Sequence, residues 1–185
     1  MSLPGYPLSG ASVSESALSA ERAAGACTDL AGELEPRALR QVLGQFVTGV
    51  TVVTSMAGDR PVGMTVNSFT SVSLAPPLVL FCAASGSMTG RHILKRGAFA
   101  VNILGREQQD LAERFAARVD GRFAGLRSRA GRTGSPILTD GLAFLDCRIA
   151  DRMVRGDHFL ILGEVVEAGV LRAGEPLAFF GRSYR

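Results

Sequence analysis

The sequence contains no tryptophan, only two histidines (His92 and His158) and one lysine, Lys95. Two imidazoles leave little scope for a histidine-built metal centre, so no metal is expected. The three cysteines, Cys27, Cys82 and Cys147, are widely spaced, odd in number and form no CxxC pair. They read as reduced thiols of a cytoplasmic protein. Mean hydropathy is +0.21, yet no run of 18 uncharged apolar residues exists to span a bilayer. The N-terminus carries neither the basic nor the apolar region of a secretory signal. Also missing are GxGxxG after a strand, GxxxxGK followed by Ser or Thr, GxSxG and HExxH. A Rossmann dehydrogenase, a P-loop NTPase, an α/β-hydrolase and a zincin are therefore unsupported. Aromatic residues make up 6% and are not interleaved with the arginines, which argues against nucleic-acid binding.

What is present fits one domain of 185 residues, 46% hydrophobic, with enough chain for a sizeable core. The net charge of +3 is uneven: residues 1–34 carry −3 and the remainder +6. Residues 1–34, rich in Ala, Ser and Gly without sustained apolar period, read as a disordered or loosely docked extension preceding a domain over 35–185. Pro36 opens a helix whose Leu39, Val42, Leu43, Phe46 and Val47 repeat as one buried face, ending near Thr48-Gly49. Strands are predicted over Val50–Ser55, Gly63–Pro77, Leu78–Cys82 (central in the sheet), Phe99–Leu104, Leu142–Ile149, His158–Val166 and Leu177–Phe180. Short helices are predicted over Gly90–Arg96 and Glu107–Ala117. Residues 118–135, with five arginines among glycines, read as a long mobile loop. The sum is a mainly β fold: a six- to seven-stranded antiparallel barrel with about three peripheral helices.

The stretch Gly63–Pro77 is unusual for a strand. Val66, Phe69, Val72 and Leu74 supply apolar bulk, but Thr65, Asn67, Ser68, Thr70, Ser71 and Ser73 surround them, and no charge stands between Met64 and Pro77. Neutral hydroxyls and an amide suit a planar polar ligand with a phosphate arm; a Ser/Thr-rich exposed strand explains the composition equally well. Further on, Ser85-Gly-Ser87-Met-Thr89-Gly-Arg91 offers either an ordinary helix cap or a phosphate cradle, with Arg91 adding a charge-assisted bond. His158, where the Gly156-Asp157 turn re-enters a strand, suits either a structural role or a proton-handling one.

Five segments in order carry a resemblance: Phe46–Thr54, Gly63–Pro77, Ser87–Thr89, Phe99–Leu104 and Gly156–His158. Together they resemble the flavin reductase family of two-component monooxygenases, which has the FMN-binding split-barrel fold; the likeness spans roughly residues 36–185. It implies a homodimer that moves hydride from NADH or NADPH to FMN or FAD, releasing reduced flavin to a separate flavin-dependent monooxygenase. Carried over by position, Thr65, Val66, Asn67 and Ser68 flank the isoalloxazine, and Ser71, Val72 and Ser73 face the ribityl and phosphate region. Cys82, Ala83 and Ser85 line the flavin, Ser87 and Thr89 hold its phosphate with Arg91 nearby, and His158 is the catalytic candidate where flavin and nicotinamide meet. Two departures stand out: Ala75 precedes the Pro-Pro pair where members often have Asp, and Gly86 replaces a larger residue. A non-catalytic flavin carrier or sensor on the same fold is the alternative, and a split-barrel enzyme using bound flavin on its own substrate is a third possibility.

Overall fold

The structure, a computed structural model, describes residues 35–185. The reading of residues 1–34 as an extension lies outside the described residues. Contacts divide the chain into two units, residues 1–40 and 41–185; Glu35 to Arg40 are the described part of the first. Helix α1 (Pro36–Leu43) is shorter than its apolar period suggested and buries none of its residues. Val42, Leu43, Phe46 and Val47 are 53%, 63%, 76% and 57% exposed. The periodicity identifies an apolar stripe correctly, but the described residues leave it exposed. The expectation of a buried face is thus corrected.

The second unit is built on strands. In chain order they are β1 (Thr48–Gly49), β2 (Thr51–Ala57), β3 (Arg60–Val66), β4 (Thr70–Leu74), β5 (Pro77–Ala84) and β6 (Ala98–Ile103). There follow β7 (Ser128–Ala130), β8 (Pro136–Leu138), β9 (Ala143–Arg155), β10 (His158–Val170), β11 (Ala178–Phe180) and β12 (Ser183–Tyr184). Helix α2 (Met88–Arg96) separates β5 from β6; a 3₁₀ turn (Arg106–Gln108) and helix α3 (Gln109–Ala116) follow β6. The main sheet has seven antiparallel strands in the order β3-β2-β6-β9-β10-β5-β4. No helix among the described residues is long and apolar enough to cross a membrane.

The stretch 63–77 is not one strand. It breaks at Asn67–Phe69 and supplies both edges of the sheet, β3 pairing with β2 and β4 with β5. Composition alone hides the break, because its residues are as polar as their neighbours; only the choice of partner strands separates the halves. Strand β5 alternates buried Val79, Phe81 and Ala83 with half-buried Leu78, Leu80 and Cys82. It lies next to the edge strand, not at the centre. The two halves of the β9–β10 hairpin run 13 residues each, beyond their apolar cores, because backbone pairing continues through exposed Asp151–Arg155. Residues 118–135, expected to be structureless, contain β7, which pairs with β8.

The main core cluster gathers Val53, Phe81, Ile93, Phe99, Val101 and Ile161. The Phe81 and Phe99 rings meet edge to face at 5.0 Å. Gly163 makes that contact possible: a Cβ there would lie 2.4 Å from Phe99 Cζ. Cys147 is buried beside this cluster, and desolvation, reinforced by the Asp146 carboxylate, pushes its thiol up to about 12. It is a packing residue and not a nucleophile.

A polar layer crosses the core. Thr54 Oγ1 donates to Pro136 O at 2.5 Å, and Asn102 Nδ2 donates to Val52 O and Thr54 Oγ1 at 3.0 and 3.1 Å. Asn102 Oδ1 accepts from Leu138 N at 2.7 Å. Buried Asp146 accepts from Thr133 N and Oγ1 at 2.7 and 2.6 Å, pinning the turn between β7 and β8. These bonds explain why a segment so rich in glycine and arginine takes a fixed course.

Candidate functional site

The candidate site forms where the Asn67–Phe69 crossing, the end of β5, the loop before α2 and the turn opening β10 come together. Ser68 Oγ accepts from Cys82 N at 3.0 Å and donates to Cys82 O at 3.2 Å, tying the crossing to β5. Ser85 N donates to Asp157 O at 2.8 Å, and His158 pairs in register with Ala84. Asn67, Ser68, Cys82, Ser85 and His158 are thus joined through backbone and hydroxyl bonds, although 91 residues separate the first from the last in sequence. Ser71, Val72 and Ser73 extend the same edge down β4, with Ser73 opposite Leu78. Leu78 lies four residues before Cys82, so the polar edge runs about 13 Å.

Individual side chains divide by role. Asn67, Ser71 and Val72 are exposed and face no competing partner among the described residues. Thr65 Oγ1 is committed to Ala112 O on α3 at 2.5 Å, and Val66 (5% exposed) and Ala83 (2%) belong to the core. At these three positions the backbone, not the side chain, is what a ligand can meet. Ser73 Oγ accepts from Ala75 N at 3.3 Å, closing the turn into β5.

Ser87 is the N-cap of α2: its Oγ accepts from Gly90 N at 3.1 Å. Gly97, at φ 74°, ends the helix in the left-handed region that glycine adopts without strain. Thr89 Oγ1 reaches Gly63 O at 3.5 Å, and Arg91 Nε donates to Ser85 O at 3.3 Å, holding the loop. Met88 N and Thr89 N have no acceptor among the described residues, so two donors remain at a helix N-terminus. His158 Nδ1 lies 2.7 Å from Asp157 Oδ1, with the imidazole side chain 44% exposed. The carboxylate fixes the ring's orientation and leaves Nε2 as the exposed position.

A cleft of about 380 Å³ opens beside this edge, between β3, the first turn of α2 and residues 119–124. Of the residues expected from the sequence, Thr89 alone lines it. Arg60, His92, Asp120, Arg122 and Phe123, which sequence reasoning did not select, supply its polar and aromatic walls. Arg122-Phe123 lay in the segment read as a mobile loop, so the usable feature was an arginine and an aromatic side by side.

Residues 43–185 match the flavin reductase like domain. The chain belongs to this family. Its relatives include the reductase subunit HsaB of a flavin-dependent monooxygenase from Mycobacterium tuberculosis, 40% identical over 84% of each chain. Another is a flavin reductase of Pseudomonas putida, 40% identical over 82% of this chain and 89% of that protein. Among solved structures, an NADH:FAD oxidoreductase of Streptomyces globisporus superposes with a TM-score of 0.78 at 39% identity, covering 83% of this chain and 94% of that one. As a flavin reductase family member, the chain places the polar edge on strands at the end of the family domain's sheet and the cleft against its second helix.

Proposed function

We propose that the protein is an NAD(P)H-dependent flavin reductase that supplies reduced FMN or FAD to a partner monooxygenase. Relatives named as monooxygenase reductase subunits and flavin reductases support this. So does the Streptomyces enzyme, which is also known in complex with NAD and FAD fragments. The observation in this chain that carries the reading is the uncharged edge from Asn67 to Ser73 and Cys82 to Ser87, meeting two unsatisfied helix N–H groups and His158. A flavin fits such a donor set: it is planar and polar along one edge and carries a phosphate.

Bound flavin supplies the hydride-accepting chemistry. The chain's own part is to orient and to shield. Backbone groups at Thr65 to Ser68 and at Cys82 and Ala83 hold the ring's polar edge, while Ser71, Val72 and Ser73 follow the ribityl chain. Ser87, Thr89 and the free N–H groups of α2 receive the phosphate, with Arg91 bracing the loop. His158 stands where the nicotinamide approaches. A site without charged side chains along the ring binds the cofactor moderately, as a reductase that releases its product requires. Mixed anaerobically with NADH or NADPH and FMN or FAD, the protein should bleach the flavin's visible absorption. Tight yellow flavin with no consumption of either nicotinamide would favour the carrier or sensor instead.

Two coarser features extend this reading. The sheet is read as a split barrel because its edge strands are joined by only three residues. In a flat sheet, six steps of about 4.8 Å would set the edges about 29 Å apart. A three-residue link reaches at most about 14 Å. The chain is read as a homodimer, because Val42, Leu43, Phe46 and Val47 expose an apolar stripe of the kind that marks an association surface. In light scattering Phe46→Glu should shift a dimer toward monomer; a wild-type monomer would end that reading. The free thiols Cys82 and Cys147 support work in a reducing cytoplasm.

A further inference from the structure

We propose that α2 and the outer part of β9 form an electrostatic steering surface, on which Arg91, Lys95, Arg96 and Arg152 draw phosphate-bearing nucleotides toward the uncharged edge. The inference rests on the flavin reductase reading. It concerns how fast the nucleotides arrive, not the groups that hold them once bound.

Charge distribution is the first argument. Between Asp59 and Glu107 the chain has no acidic residue, yet Arg60, Arg91, Lys95, Arg96 and Arg106 stand in that interval. Strands β3 to β6 and helix α2 are built from it. The ion pairs among the described residues engage Arg106, Arg127, Arg129, Arg172 and His158, and none of the four proposed cations. Among the described residues Arg91, Arg96 and Arg152 donate only to the backbone carbonyls of Ser85, Thr133 and Leu94, and Lys95 to none. No carboxylate in contact offsets their charge.

Position is the second. Arg91 and Lys95 are four residues apart and share one face of α2. Arg152 Nη1 donates to Leu94 O at 3.4 Å, joining β9 to that helix. Lys95 and Arg96 border a hollow with Arg60 and His92, in which Asp59 is the sole carboxylate. Arg91 Nε donates to Ser85 O, and Ser85 N donates to Asp157 O beside His158. Arg152 lies about 10 Å along the strand from Arg155, the cross-strand partner of His158. The cations thus form a rim around the end of the sheet at which the edge and His158 meet.

Chemistry is the third. FMN, FAD and the nicotinamide dinucleotides all carry phosphate, whereas the edge has no charge with which to attract it. Rim charges act mainly on association rate and its salt dependence, and an attracting field raises on-rates by about 10–10³. Such a surface speeds encounter without tightening the grip on the ring, which suits a flavin that must leave. Helix stability explains only part of the pattern. Lys95 and Arg96 complement the α2 dipole from its last turn, but Arg91 near its start opposes it, and Arg152 belongs to another element. Arg122 differs again: Nε donates to Val119 O at 2.9 Å and Nη1 to Gly63 O at 2.8 Å, a clamp that fixes the turn.

The test is stopped-flow association of FMN with the full chain, read by flavin fluorescence, with riboflavin as the ligand that has the ring and no phosphate. Between about 20 and about 500 mM salt the screening length falls from about 20 Å to about 4 Å. Over that range FMN association should slow about fivefold or more, and riboflavin association should not. The double variant Lys95→Gln with Arg152→Gln should slow FMN about threefold or more at low salt and match wild type at high salt, with riboflavin association and kcat unchanged. Arg106→Gln removes a charge that Glu175 already offsets beyond the far end of β6, and should leave the FMN rate within about 1.5-fold. If wild type reduces FMN with NADH yet FMN association ignores salt, or the double variant matches wild type at low salt, the proposal is overturned. FMN association that depends on salt and on these two cations, with no flavin reduced by any nicotinamide, would instead remove the reductase reading and leave the steering surface standing.

Discussion

Asn102→Leu is expected to destabilise the fold by about 3 kcal/mol, without any contact to the candidate site. The amide is fully buried and makes three bonds: two from Nδ2, to Val52 O and Thr54 Oγ1, and one at Oδ1 from Leu138 N. It joins β6 to β2 and also holds β8, which lies outside the main sheet. Leucine conserves the volume but leaves the Leu138 N–H buried without an acceptor, at about 1–3 kcal/mol, and removes a donor from Val52 O and Thr54. For a domain of this size each kcal/mol lowers the melting temperature by about 2–4 °C. Thermal unfolding should therefore fall by about 10 °C. Asn67→Leu is the contrast, since that amide is exposed in the crossing and should change stability by no more than about 0.5 kcal/mol. Equal melting temperatures for the two variants would show that the polar layer is not what fastens β8.

The same pair of asparagines marks what was legible in the sequence. Local pattern located most strands and both inner helices, because β-branched runs and the 3.6-residue period report on the chain's own neighbourhood. Pairing was less visible. The break at Asn67–Phe69 follows from β3 and β4 choosing partners on opposite sides of the sheet, which no local composition encodes. Burial failed at the stripe through Val42, Leu43, Phe46 and Val47, which is apolar by pattern yet exposed, because periodicity reports a face and not what covers it. In the site, type and order of residues pointed to the polar edge through the family resemblance. They did not distinguish Asn67, whose side chain is presented, from Thr65, whose hydroxyl is spent on Ala112. The Arg122 clamp was hidden because its acceptors, Val119 O and Gly63 O, are backbone atoms.

His158→Ala should lower the turnover of NADH by about tenfold or more while changing flavin affinity less than about twofold. The imidazole sits on the first residue of β10, held there by pairing with Ala84 and Arg155, so its loss removes no core packing. Its Nδ1 is engaged by Asp157 Oδ1 at 2.7 Å, which leaves Nε2 as the nitrogen available to the proposed nicotinamide. Hydride transfer needs no protein nucleophile, so on the proposed reading the residue would act by positioning the dinucleotide and by offering a hydrogen-bonding nitrogen to the reduced ring. Proton-handling side chains contribute about 10²–10⁴ when they act in the transition state. A positioning role lies below that range, which sets the tenfold expectation. Asp157→Asn keeps a hydrogen-bonding partner for the ring, so it should retain most of the turnover that His158→Ala loses. The decisive comparison is stopped-flow reduction against flavin titration for His158→Ala. Parallel loss of rate and flavin affinity would make His158 a structural residue of the turn, and the contact between nicotinamide and protein would then have to be sought along the Arg60–Arg122 cleft.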